Sequence, residues 1–235
     1  MTTSCSLRGN DYFLFIKRQQ GKIALLLVYV DDLVITGDIN ELITELKKML
    51  NSYFKMKDLG ELKYFLGIEV LKSKEGILLN QRKYALQLIK DTGLEEAKST
   101  TTLLEQILKL TTLDYDKIVQ QDNEDEYNLV EKSAYQRLIG RLIYLTYTRL
   151  DITYAVNFLS EFMQQPKRSH IEAALRVVKY VKKEPGQGIL LKSSSSCQIS
   201  AYCDLDWGSC PMTRKSVTSF CIKIGDSLVS WKSNK

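Results

Sequence analysis

The order of apolar and polar positions divides the chain into strand-like and helix-like segments. Tyr12–Lys17 ("YFLFIK"), Ala24–Val30 and Leu33–Ile35 are short runs rich in β-branched and aromatic residues. They are too short for ordinary helices and predict three antiparallel strands in a row. Asp38, with Glu41 three residues on, has the form of a capping box, and Leu42, Ile43, Leu46, Met49, Leu50 and Tyr53 follow at helical spacing. In "LKYFLGIEVLKSKEGILLNQ" two further strand-like runs join at Lys74-Glu75-Gly76, and "QRKYALQLIKDTG" predicts a helix closed by Gly93. The expectation here is one layer of helices on one layer of antiparallel strands.

From Ser99 to Glu131 the texture changes to threonines and an acidic cluster at 122–126, which predicts a linker or a loosely packed excursion. Helical patterns follow over Ser133–Thr148, Ile152–Met163 and Ser169–Lys183, with Pro166 between the last two and Pro185-Gly186 after the third. Ile171, Leu175 and Val178 form the apolar stripe of that third helix. Beyond the serines at 193–196, "CQISAYCDLDW", "SVTSFCIKI" and "SLVSWK" read as strands beginning another antiparallel sheet. The fold class expected is α+β.

Composition excludes several classes. With 44% hydrophobic and 26% charged residues the chain is not a disordered one. No run approaches the roughly 18 apolar residues of a membrane span, and "MTTSCSLRGN" lacks the apolar core of a secretory signal, so a cytoplasmic or nuclear location is expected. Five cysteines without a Cys-x-x-Cys pair, beside one histidine, His170, support neither a disulfide framework nor a zinc site. His170 is expected to cap or pack near a helix start. The net charge of +5 permits an anionic partner without demanding one.

The candidate chemistry begins at "LLLVYVDDLVITGD", where Asp31 and Asp32 interrupt an apolar stretch at an expected hairpin tip. Adjacent anions repel and are costly to bury unpaired, so the pair must face water, meet cations or hold a metal. A solvated turn and a hard-cation site for Mg²⁺ are both open on this stretch alone. Between Met163 and Lys192, seven Lys or Arg stand against Glu172 and Glu184, and Arg176, Lys179 and Lys183 share one side of the third helix. That side is either a solvated face or a phosphate-binding one.

The ordered blocks "LLLVYVDDLVITGD", "MKDLGELKYFLGIEV", "GILLNQRKYALQLI", "YQRLIGRLIYLTYTRLDITYAVNFLSEFM" and "AYCDLDWGSCPMTRKSVTSFCIKIGDSLVSWKSNK" cover nearly the whole chain. In that order they resemble the Pol polyprotein of copia-type retrotransposons. The resemblance implies a reverse transcriptase palm without its fingers over 1–98, a linker over 99–131, a helical thumb and connection over 132–192, and an incomplete RNase H-like domain over 197–235. The implied activities are RNA-directed DNA polymerisation and ribonuclease H. Tyr29-Val30-Asp31-Asp32 matches the family's Tyr-x-Asp-Asp turn, whose acids hold two metal ions, Mg²⁺ or Mn²⁺, about 3.5 to 4 Å apart. Asp31 and Asp32 are thereby implied as catalytic metal ligands. Phe65, Leu66 and Gly67 match the primer grip, and Tyr29 either rests against nucleic acid or packs in the palm. Asp204 matches the first metal-binding aspartate of RNase H; Asp206 shares its sheet face, and Trp207 and Trp231 are expected in the core. In this setting Arg176, Lys179 and Lys183 become candidates for phosphate contact.

The implied partners are an RNA template, a DNA primer, deoxynucleoside triphosphates and the remainder of the Pol polyprotein. Leu150 stands where the family's "TRPD" has proline, and Ile171 where an aromatic usually follows the histidine. Only ten residues precede Asp11-Tyr12 and the chain stops at Lys235, while Asp11 and Asp58 fall outside the required motif. The fingers, a third palm carboxylate and the later RNase H acids are therefore expected to be missing, and the chain alone to be inactive. The alternative is a non-catalytic remnant that binds nucleic acid weakly.

Overall fold

A computed structural model describes residues 3–8, 12–19, 21–105, 110–119, 131–193, 196–208 and 212–234. The acidic cluster at 122–126 and Asp11 lie outside the described residues. The described chain is α+β, and all its strand pairings are antiparallel. It divides into two compact units, Met1–Leu62 and Lys63–Lys235. The run expected as one palm region, 1–98, thus contributes to both.

In the first unit, strands β1 (Thr3–Arg8), β2 (Tyr12–Gln19), β3 (Lys22–Tyr29) and β4 (Asp32–Gly37) form a sheet in chain order, followed by helix α1 (Asn40–Tyr53). β1 is a fourth strand where three were expected. The helical spacing from Leu42 onward is borne out, but the capping box is not. α1 starts after Ile39 with no side-chain cap, and the Asp38 carboxylate instead accepts the Ile23 N–H at 2.9 Å. The strand ladder needed that acceptor where β4 ends, because the Asp38 N–H also donates to the Ile23 carbonyl at 3.0 Å. Lys17 of β2 pairs with Glu45 of α1 at 3.6 Å, and Lys47 with Asp58 at 2.9 Å. Among the described residues of this unit only Ala24 is buried.

The second unit contains β5 (Tyr64–Phe65), β6 (Ile68–Lys72), β7 (Gly76–Asn80), α2 (Arg82–Asp91), α3 (Leu113–Val119), α4 (Lys132–Leu145), a 3₁₀ turn (Leu150–Ile152), α5 (Thr153–Ser160), α6 (Arg168–Lys183), β8 (Gly188–Lys192), β9 (Ile199–Leu205), β10 (Thr218–Ile224) and β11 (Ser227–Asn234). Its sheets run β5-β6-β7-β8 and β11-β10-β9. The Gly93 stop holds: Gly93, at φ +68°, donates to Lys90 and Leu94 donates back to Ile89, ending α2 in a left-handed residue.

β8 was not expected. It pairs with β7 in register from Gly76↔Lys192 to Asn80↔Gly188, joining sheet partners more than a hundred residues apart in the chain. Gly188 permits the approach, since a Cβ there would collide with the Leu79 carbonyl.

The core lies where α2, α4, α5 and α6 meet, with Ala85, Leu88, Ile139, Leu142, Val156 and Leu159 among its buried residues. The α6 stripe is shifted from the one read in the sequence. Ala173, Ala174, Val177, Val178 and Val181 are buried, whereas Ile171 and Leu175 are half-buried at its margin. Small side chains on that line let neighbouring helices come close.

Within the stretch expected as a linker, residues 99–105 run along α6 and Leu110, Thr111 and Asp116 are buried. The Thr100 N–H donates to the Lys179 carbonyl at 3.3 Å, and Lys182 Nζ donates to the carbonyls of Leu94 at 3.1 Å, Ala97 at 2.6 Å and Glu95.

Candidate functional site

Asp31 and Asp32 stand at the end of a hairpin pinned at its other end. β3 and β4 pair from Ala24↔Gly37 to Tyr29↔Asp32, leaving Val30 and Asp31 as a two-residue loop. Such loops need left-handed backbone and favour Gly, Asn or Asp. Here Val30 takes φ +48°, a costly conformation for a β-branched residue, and is 70% exposed. The strain is local to the turn that aims the acids. Asp38 closes the far end through its two bonds to Ile23.

Asp31 in the loop and Asp32 at the start of β4 are both exposed. They offer adjacent hard oxygen donors open to water, a set suited to a divalent cation that keeps waters or phosphate oxygens in its remaining positions. Among the described residues no group of three or more His, Cys, Asp or Glu gathers into a metal cluster. Tyr29 is half-buried on β3, paired in register with Asp32 and Tyr12.

The other resemblance-based positions lie in the second unit. Asp204 is exposed on β9 opposite Ser219. Asp206, two residues on, accepts the Val217 N–H at 2.6 Å and so closes the β9–β10 pairing much as Asp38 closes β3–β4. Trp207, expected in the core, is 96% exposed just past the strand end. Trp231 is half-buried and donates from Nε1 to the Thr146 carbonyl at 3.1 Å, tying β11 to the end of α4.

Phe65, Leu66 and Gly67 form the tip of the β5–β6 hairpin, with Leu66 and Gly67 as a two-residue loop at φ +48° and +75°. Both positive values match a type I′ turn, which the sequence satisfies fully only at the glycine. The Tyr144 hydroxyl donates to the Leu66 carbonyl, and a Cβ added to Gly67 would run into the same hydroxyl. The space beside Gly67 is thus taken by a side chain of the same unit.

Tyr144 belongs to a cluster that sequence reading passed over. Its ring meets Tyr84 edge-on at 4.9 Å between centroids and Tyr147 at 5.8 Å, and the Arg141 guanidinium lies 5.6 Å over Tyr84. Burial raises the Tyr144 hydroxyl above the usual phenol range, and Tyr64, Tyr84 and Tyr147 add to the shift. The signal was the spacing of Arg137, Arg141, Tyr144 and Tyr147 along one helix side, which an ordinary apolar stripe would also produce.

The three α6 cations have different surroundings. Arg176 is bonded to Glu105 at 2.8 Å and to Thr102 at 2.9 Å, Lys179 is half-buried beneath Thr100, and Lys183 is exposed.

At the start of α6 a buried polar group takes shape. Lys167, fully buried, meets Asp116 at 2.6 Å, and the Thr111 hydroxyl donates to the other Asp116 oxygen at 2.5 Å. His170 Nδ1 accepts the Lys167 N–H at 3.0 Å, which puts the ring proton on Nε2, 3.1 Å from the Thr111 carbonyl. Its ring stacks on Phe162 at 3.9 Å. Burial, then the Lys167 charge, pushes the His170 pKa down to about 4. The expectation that His170 caps and packs near a helix start is borne out.

Comparison with known proteins identifies the family. Residues 9–106 match the family described as reverse transcriptase (RNA-dependent DNA polymerase). An uncharacterized mitochondrial protein of Arabidopsis thaliana is 36% identical over 89% of this chain and 82% of its own length. The retrovirus-related Pol polyprotein from transposon RE1 of the same plant is 35% identical over 96% of this chain, and that from transposon TNT 1-94 of Nicotiana tabacum 30% identical over 95%. The chain belongs to the reverse transcriptase family of copia-type retrotransposon Pol polyproteins. It spans about 15% of the RE1 polyprotein and 17% of the TNT 1-94 one. No solved structure matches it. Among the described residues, no helix is long and apolar enough to cross a membrane.

Proposed function

We propose that this chain is the part of a reverse transcriptase that carries the Tyr-x-Asp-Asp turn, and that Asp31 and Asp32 hold divalent cations, Mg²⁺ or Mn²⁺, for nucleotidyl transfer. The observation that carries the reading is the pair of exposed adjacent carboxylates on a strained two-residue turn, in a chain of this family. Bound cations would supply activation of a primer 3′-hydroxyl and neutralisation of triphosphate charge. The chain's own contribution is to hold two anionic oxygens at the end of a hydrogen-bonded hairpin whose far end Asp38 fixes.

In the same reading the RNA template, DNA primer and deoxynucleoside triphosphates are the substrates, and the rest of the polyprotein supplies further parts of the enzyme. The first unit with the β5–β7 strands corresponds to the palm, the helices around α4 and α6 to the thumb and connection, and β9–β11 to the opening of an RNase H domain with Asp204 as its first acid. Leu66 and Gly67 serve as the primer grip, their turn held from behind by Tyr144. Of the α6 cations, the exposed Lys183 is the first candidate for phosphate contact and the half-buried Lys179 the second, while Arg176 already satisfies Glu105. Any metal bound at Asp204 would need further donors, since the neighbouring Asp206 carboxylate accepts Val217.

The test is Mn²⁺ titration of the chain followed by NMR. Paramagnetic broadening centred on Val30–Asp32, absent when Asp31→Asn and Asp32→Asn are combined, is the expected result. Uniform broadening, or broadening unchanged in the double variant, refutes the metal assignment.

A further inference from the structure

The tyrosine cluster beside the β5–β6 turn is more exposed than its role in bracing that turn requires. Tyr144 alone makes the bond to Leu66, yet Tyr64 is 55% and Tyr147 64% exposed. Tyr147 meets the Tyr144 ring, and Tyr64 stands on the hairpin whose turn Tyr144 holds; exposed aromatic rings with polar tips suit a binding surface.

Charge on the adjoining helix narrows the occupant. α4 carries Lys132, Arg137 and Arg141 and no Asp or Glu. Arg141 is engaged by Asp91 at 2.8 Å and by the Tyr84 face, but Arg137 is exposed one turn away. Lys63 precedes Tyr64 on the hairpin. An uncharged apolar partner would have no use for that bias, whereas a polyanion would.

Gly140 points the same way. It lies inside α4 between Arg137 and Tyr144, where glycine is about 1 kcal/mol less favourable than alanine. Among the described residues a Cβ at Gly140 would meet nothing within 4 Å, so none of their contacts accounts for the glycine. Gly67 is the contrast, since Tyr144 fills the space at its side. The helix surface between the cation and the tyrosines is thus open to a close external approach.

We propose that Tyr64 and Tyr147, braced by Tyr144, form a stacking site for an unpaired nucleobase of single-stranded nucleic acid, with Arg137 binding the adjoining phosphate across Gly140. Stacking suits the site because every base has a π-face, so the rings recognise single strands without reading sequence. The inference rests on the nucleic-acid partner of the proposed function and is independent of metal binding at Asp31 and Asp32.

The experiment measures fluorescence anisotropy of labelled oligodeoxyadenylate and of an abasic strand of equal length, about 12 nucleotides, at low salt. Wild type is expected to prefer the base-bearing strand about tenfold. Tyr64→Ala with Tyr147→Ala should abolish that preference and leave abasic affinity unchanged, while Tyr64→Phe with Tyr147→Phe retains it. Arg137→Ala should weaken both strands alike and reduce the log-log salt slope by about one.

Equal wild-type affinity for the two strands overturns the stacking site while leaving nucleic-acid binding intact, and it is also the outcome if the patch serves a protein. A preference that survives the double alanine variant overturns it too. Absence of binding to either strand overturns both this site and the nucleic-acid partner on which it rests.

Discussion

The acids of the Tyr29–Asp32 turn stand on a sheet in which only Ala24 is buried among the described residues, whereas the second unit closes α2, α4, α5 and α6 around a continuous core. In the first unit, cohesion comes from strand ladders, from the Asp38–Ile23 bonds and from exposed ion pairs such as Lys47–Asp58. Exposed pairs contribute little, because water and salt screen them. The second unit adds burial of large apolar side chains at roughly 25 cal/mol per Å² and a buried ion pair at the head of α6. The difference separates two tasks. Candidate metal chemistry is displayed on a frame held mainly by backbone bonding, and the packing energy is concentrated elsewhere in the chain.

The largest expected effect tests that concentration directly. Asp116→Ala leaves the Lys167 ammonium buried beside Thr111 and His170, and breaking a buried pair in this way costs about 3–5 kcal/mol. Residue-resolved denaturant unfolding should show α5 and α6 losing stability by that amount with β3 and β4 unchanged. Replacing both partners, Asp116→Leu with Lys167→Met, should recover most of the loss. A fall in β3 and β4 equal to that in α6 would mean the two units unfold as one.

Core truncations sharpen the contrast next. Leu142 is fully buried and Leu26 half-buried, so Leu142→Ala should cost about 3 kcal/mol and Leu26→Ala about 1. Native-state hydrogen exchange provides the check, reading α4 amides for the first variant and β3 amides for the second. Comparable losses would show that the first-unit sheet is packed more tightly than the exposure of its residues indicates.

Acid should act on the second unit through His170. Its folded pKa, about 4, lies below the ordinary value of 6.5, so between those values the unfolded chain binds more protons than the folded one. The stability is fully present above pH 6.5 and declines as pH falls toward 4, by about 2–3 kcal/mol at 1.36 kcal/mol per pKa unit. Protonation would also set an Nδ1 proton against the Lys167 N–H. Asp151 adds to the loss at lower pH. Burial opposes its ionisation, but the bonds and charge of Arg149 outweigh burial and hold it below the usual carboxylate range. Unfolding midpoints from pH 7 to 4 should drop in the wild type and drop less in His170→Gln.

Local order was legible where short-range chemistry dictated it. The short runs of β-branched and aromatic residues on either side of Asp31-Asp32 gave the hairpin, and Gly93 gave the end of α2, because each depends on neighbours within a few residues. What escaped depends on distant partners. The pairing of β8 with β7 and the Asp116–Lys167 contact, 51 residues apart, leave no periodic trace. Asp38 was misassigned because an acid before a helix with Glu41 beyond it fits a cap as well as it fits a ladder terminus. Of the candidate site, the setting of Asp31 and Asp32 left a solvated turn and a cation site both open and the metal reading came from the family resemblance, while Tyr144 looked like one more member of an apolar stripe. Only its bond to Leu66, 78 residues earlier in the chain, distinguishes it.

The smallest effect compares the two hairpin turns, one in each unit. Gly67→Ala places a Cβ at φ +75° against the Tyr144 hydroxyl and should cost about 1–2 kcal/mol, and Tyr144→Phe, which removes only the bond to Leu66, about 1. Val30→Gly should go the other way. A left-handed backbone costs an L residue about 1–2 kcal/mol, which glycine avoids, while its greater freedom in the unfolded chain returns about 0.5–1. The expected net gain is about 0.5 kcal/mol, read from the unfolding of β3 and β4. At 70% exposure Val30 gives up almost no packing against the described residues, so a loss larger than 1 kcal/mol would mean that its side chain is held by a contact beyond theirs. The turn that presents Asp31 and Asp32 would then keep its strain because that contact offsets it.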